Sequence, residues 1–143
     1  MTDLATHAAS LSSTDVAIRR ASSDALASAL EGGAKLGGLV VHLAPALLDA
    51  DAKVAGDIAW MLAFMAEDAS VDLKDAIPSL CKALDGAHDG VRANAAWTLA
   101  LLAPRYDLSQ GIGPLVGLLS LSGQTKTPGN ARAALEALLR LRQ

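Results

Sequence analysis

Val91-Arg92-Ala93-Asn94-Ala95-Ala96-Trp97-Thr98-Leu99-Ala100-Leu101-Leu102-Ala103 is an alanine-rich stretch whose leucines recur at helical spacing. It has a double. At a shift of 37 residues stands Val54-Ala55-Gly56-Asp57-Ile58-Ala59-Trp60-Met61-Leu62-Ala63-Phe64-Met65-Ala66, with Trp60 on Trp97, Leu62 on Leu99 and Met65 on Leu102. A weaker copy, Ile18 to Leu26, lies 36 residues earlier still. A fourth, Asn130 to Leu141, follows at a shift of 39, with Leu138 on Leu99.

A period in this range marks helical repeats, in which a unit buries its apolar face only against its neighbours. The expected fold class is therefore all-α, an α-solenoid of about four units in one domain, approximately 1–33, 34–70, 71–107 and 108–143. Composition agrees. Hydrophobic residues reach 52% while aromatics are only 3%, so alanine carries much of the apolar total. Alanine is the best helix former and lets helices approach closely.

Recurring caps support the same register. Asp15 stands three residues before Ile18, and Asp51 three before Val54. Thr127 holds the place before Asn130, with Pro128 at the favoured first helical position; His88, with Asp89 beside it, holds the place before Val91. Gly32-Gly33 ends a helix expected from Val16 to Glu31. Leu4 to Leu11 reads as a short opening helix. Outer helices are expected at Leu36 to Asp49, kinked at Pro45, at Asp75 to Leu84, and at Ile112 to Leu119. Ser120 to Thr127 reads as the longest linker, and Leu135 to Arg142 as a closing cap.

The formal net charge of −3 gives no general footprint for phosphate backbones, so no nucleic-acid partner is expected. A single cysteine, Cys81, excludes a disulfide within the chain. The first residues carry an acid and no lysine or arginine, unlike a signal peptide. The longest apolar stretch, Leu36 to Leu48, is interrupted by His42 and Pro45 and falls short of the ~20 residues that cross a bilayer. No membrane association is expected, and the expected location is cytoplasmic.

Ile77-Pro78-Ser79-Leu80 through Leu84, then Val91-Arg92, then Ala95-Ala96-Trp97-Thr98-Leu99 and Leu102 resemble the armadillo/HEAT repeat superfamily. The Ala-Ala-Trp-x-Leu string is armadillo-like; the spacing and simple helix pairs are HEAT-like. The resemblance implies a right-handed superhelix whose inner helices line a concave surface for proteins or peptides. Short alanine-rich relatives of bacterial type often serve as accessory subunits. In armadillo import adaptors, a tryptophan at this string position lines the peptide groove and an asparagine four residues on clamps the peptide backbone. Trp60 and Trp97 match the tryptophan, but Phe64 and Leu101 stand where the asparagine would be. An apolar groove of this kind suits a helix or hydrophobic segment better than an extended peptide.

The helix around Trp60 carries a core stripe of Val54, Ile58, Met61, Leu62 and Met65. In the first unit the inward stripe is expected to be Ile18, Ser22, Ala25, Leu26 and Ala29. A second stripe, Asp57, Trp60, Phe64 and Glu67, falls on an adjacent face. Its counterparts are Ala21, Asp24 and Ser28 in the first unit, Asn94, Trp97 and Leu101 in the third, and Ala133, Glu136 and Arg140 in the fourth. The expected partner-binding groove is Asp57, Trp60, Phe64, Asn94, Trp97, Leu101, Glu136 and Arg140, with Asp57 and Asn94 as polar contacts and Glu136 and Arg140 tuning one rim. The alternative is that Trp60 and Trp97 simply pack against each other between repeats.

Enzymatic chemistry has little to stand on. His7, His42 and His88 are far apart and lie in no metal-ligand spacing, so no metal is expected; no cofactor motif is present either. Cys81 reads as a small buried hydrophobe. The expected role is a protein-interaction module, not an enzyme. A HEAT-like nucleic-acid binder and a small-ligand-binding accessory protein are the alternatives, and a second copy of the chain is a further candidate partner.

Overall fold

Each long helix begins where an aspartate or its register equivalent stands. In the computed structural model, which describes residues 3–84, 88–103 and 105–106, Asp3 caps α1 (Leu4–Ser10) and Asp15 caps α2 (Val16–Glu31). The Asp51 carboxylate accepts the Val54 N–H and starts α4 (Ala52–Ala66). His88 opens α6 (Asp89–Leu102) without a side-chain cap; its Nε2 lies 3.3 Å from the Ala50 carbonyl oxygen, and Asp89 supplies negative charge in the first turn. Between these run two shorter helices, α3 (Val40–Ala46) and α5 (Ile77–Ala83). The fold is all-α; no strand occurs among the described residues.

Glycine ends α2 as expected. Gly33 takes φ +97°, a conformation that a side chain resists, and the chain closes with Ala34 N–H to Ala29 O and Gly33 N–H to Leu30 O. These two bonds are the Schellman pattern.

The outer helices are shorter than the sequence suggested. Leu36 to Asp49 divides into a 3₁₀ turn, Gly37–Leu39, and the seven residues of α3. Gly37-Gly38 is a poor helix former, and beyond Pro45 the chain tightens into three-residue bonds, Leu48 N–H to Pro45 O and Asp49 N–H to Ala46 O. Pro45 thus stands at the end of a helix and not at a bend within one. Likewise the third unit opens with a 3₁₀ turn, Lys74–Ala76, before α5, and Pro78 falls in the first turn of α5, where its missing N–H costs nothing.

The element pattern recurs along the chain at a fixed spacing. The 3₁₀ turns, the short helices and the starts of α4 and α6 all recur at 37 residues. α2 packs on α4 and α4 on α6, giving a layer of long helices; α1 contacts α3 and α3 contacts α5 in a second layer. One continuous core lies between. Leu26, Leu43, Ile58, Met61, Leu62, Leu73, Leu80, Leu99 and Leu102 are fully enclosed in it. Each such side chain contributes about 1.5–3 kcal/mol through burial.

The core stripe expected in α4 is buried throughout. In α2 it is not. Ser22 and Leu26 are buried, but Ile18 is 46% exposed, whereas its counterparts Val54 and Val91 are sealed. Those two each have a preceding long helix beside them; α2 is preceded only by the seven residues of α1.

Candidate functional site

The side of α4 turned from the core carries Lys53, Asp57, Trp60, Phe64 and Glu67, none of them buried. Trp60 is half-buried against the core, and its ring meets that of Phe64 with centroids 5.4 Å apart and planes tilted by 37°. This is the one aromatic pair among the described residues, and it is an ordinary i, i+4 contact on one helix. Phe64 remains 46% exposed. On α6, Trp97 is 40% exposed, Asn94 is half-buried, and Leu101 packs in part against the core. Among the described residues Trp97 makes no ring contact with Trp60, so the two tryptophans do not stack on each other between units.

The apolar members of the expected groove therefore lie on adjoining helices, outside a core that closes without them. Among the polar members, Asp57 is partnered within the chain: it accepts from Ser23 Oγ at 3.0 Å and from Lys53 Nζ at 2.7 Å. Lys53 also reaches Asp24 at 2.5 Å, and both carboxylates hold its ammonium more firmly protonated than usual. These groups join α2 to α4. Ser23 and Asp24 come from α2, which no single-helix pattern reveals, whereas Lys53 and Asp57 are an i, i+4 pair within α4. The backbone carbonyl of Asn94 accepts the Thr98 hydroxyl at 2.6 Å, which satisfies a threonine that is otherwise enclosed. Glu136 and Arg140 lie outside the described residues.

At the end of this face is a feature the pattern missed. An open cleft of about 180 Å³ lies between the C-terminal ends of α2 and α4, with Leu30, Leu36 and Met65 as its floor and Phe64 and Val71 at its sides. Glu31, Lys35 and Asp68 stand at its mouth. Asp68 is held below the usual carboxylate range, first by the Ser70 hydroxyl and then by the Ser70 N–H, with Lys35 adding attraction. The signal was Leu30, Ala34 and Leu36 set around Gly32-Gly33: an apolar run that the glycines fold into a wall.

No metal site is assembled among the described residues: no cluster of three His, Cys, Asp or Glu could hold an ion there. Cys81 is buried, and burial pushes its thiol up to about 11. No helix among the described residues is long and apolar enough to cross a membrane. A comparison of the sequence with protein-family models finds no match, and a comparison with curated proteins finds no significant relative.

Proposed function

We propose that the chain is a protein-binding module of armadillo/HEAT type, a right-handed α-solenoid that acts as an accessory subunit and not as an enzyme. Its partner is a protein, not a nucleic acid or a membrane, and it works in the cytoplasm. The partner segment lies across α4 and α6 with its apolar side on Trp60, Phe64 and Trp97.

One observation carries this reading. Phe64 and Trp97 keep 46% and 40% of their surface in water while Ile58, Leu62 and Leu99 beneath them are fully enclosed. Large apolar side chains left outside a finished core, on neighbouring helices, are what a docking surface requires. Binding by an extended peptide is disfavoured, because Phe64 and Leu101 offer no side-chain amide to a peptide backbone; a helix, whose backbone is satisfied internally, needs none.

The test is capture from host lysate with wild type and with Trp97→Ser and Phe64→Ser, each shown folded by circular dichroism. The captured protein is then purified and titrated directly. Loss of that purified partner by both folded variants supports the face. Equal affinity for wild type and both variants removes it.

A further inference from the structure

The cleft between the C-terminal ends of α2 and α4 has a chemistry of its own. Its floor is apolar and buried: Leu30, Leu36 and Met65 are 6%, 1% and 3% exposed. Its volume of about 180 Å³ lies below the ~300–1,000 Å³ typical of whole-ligand pockets and suits a single side chain. Its lining carries Glu31, Asp68 and Lys35, and Arg105 beside it also attracts Asp68. Two helices also end here, and the C-terminal end of a helix carries partial negative charge. Neither α2 nor α4 has a basic residue in its last turn to offset it. The occupant this combination favours has an apolar body and a cationic neighbour.

We propose that this cleft anchors a basic amphipathic helix of a protein partner, taking one of its apolar side chains between Leu30, Met65 and Phe64 while a lysine or arginine of that helix faces Glu31 and Asp68. The inference rests on the reading of α4 and α6 as a protein-binding face, with which the cleft shares Phe64. It adds the sign of the partner's charge and the place where its anchor enters. A helix lying along the exposed aromatics and ending in the cleft would bury apolar surface on one side and keep its charges in water on the other.

Fluorescence anisotropy of labelled peptides tests this on the full chain. The probe is a leucine/lysine amphipathic helix of about 18 residues. Its controls are the same length built from leucine and glutamate, and a scrambled leucine/lysine sequence with no apolar face. The basic amphipathic peptide is expected to bind, more weakly as salt rises, and both controls to bind at least about tenfold more weakly. Ala34→Phe fills the cleft without changing the charge of the protein, and Glu31→Lys reverses one rim charge on the exposed surface. Each is expected to weaken binding by about tenfold, and Glu31→Lys also to flatten the salt dependence.

Equal binding of the acidic and basic peptides overturns the proposal, as does full affinity in Ala34→Phe. Binding of decylamine in the cleft with no binding of the peptide overturns it in favour of a small amphiphile. Trp97→Ser separates the two readings. If that variant loses the peptide while Ala34→Phe and Glu31→Lys keep it, the aromatic face stands and the cleft proposal fails. If only the cleft variants lose it, the cleft stands without the wider face.

Discussion

The Arg20 guanidinium on α2 donates at 2.6 Å to the Asp51 carboxylate, and Asp51 caps α4 through the Val54 N–H. One side chain thus both starts a helix and ties it to the unit before. Asp51→Asn keeps an acceptor for the cap but loses the charge, whereas Asp51→Ala loses both. Thermal melts should place Asp51→Asn between wild type and Asp51→Ala, the latter falling by roughly 2–8 °C. Equal melting of all three proteins would contradict this double role.

Acid should act through the same residue. Asp51 is held down to about 2, first by the hydrogen bond from Arg20 and then by that from Val54. A depressed folded pKa contributes stability above the unfolded value of ~3.9 and loses it as pH falls through the folded value. Asp68 and Asp72 are shifted in the same direction. Urea midpoints should therefore fall between about pH 4 and about pH 2. Arg20→Met should make that fall shallower, because it returns Asp51 toward its ordinary value.

Cys81 titrates in the opposite sense. Its thiol is raised to about 11 by burial, so its contribution is present below the unfolded value of ~8.5 and is lost as pH rises toward 11. A disulfide reagent at pH 8 should label the native chain slowly and the urea-unfolded chain at the rate of a free peptide thiol. Fast labelling of the native chain would place the thiol at the surface.

Core and face should part in stability measurements. Leu62→Ala opens a hole in fully enclosed packing and should cost about 2–5 kcal/mol. Phe64→Ser and Trp97→Ser remove side chains that are already partly in water and leave no closed cavity. They should cost about 1–2 kcal/mol by urea denaturation. A cost for Trp97→Ser as large as that for Leu62→Ala would make Trp97 a core residue.

Tyr106 offers a local test. Its hydroxyl accepts the Leu73 N–H at 3.2 Å and donates to Asp72 Oδ1 at 2.8 Å, which fixes the entry to the third unit. Tyr106→Phe strands the N–H of a fully buried leucine and should cost about 1–3 kcal/mol. Faster hydrogen exchange at the Leu73 amide, with little change at Ile58, should accompany it.

Much of this architecture was legible because it rests on local rules. Asp15 and Gly32-Gly33 bound α2 at Val16 and Glu31, and the alternation of Val54, Ile58, Leu62 and Met65 marked the buried side of α4. What depends on the neighbouring unit was not legible. Ile18 copies Val54 in sequence, yet it lacks the covering helix that makes Val54 a core residue. Asp57 has an i, i+4 partner in Lys53 on its own helix, but its bond from Ser23 on the adjacent helix follows from no pattern along α4. The cleft arises where two helices end together, and a periodicity along one helix cannot register that.

The 3₁₀ entries carry a further consequence. Leu36 and Leu73 stand at the same backbone angles, φ −106°, ψ 8° and φ −109°, ψ 15°, and each opens an identical turn. A duplicate of residues 37–73 spliced after Leu73 would meet at each joint the geometry it already has. On the proposed solenoid reading, the length of this protein is therefore a quantity that can be dialled by whole units. Every unit added would bring one more Trp60–Phe64 pair to the row, so on the proposed binding role reach and avidity would grow together with no new local structure to invent.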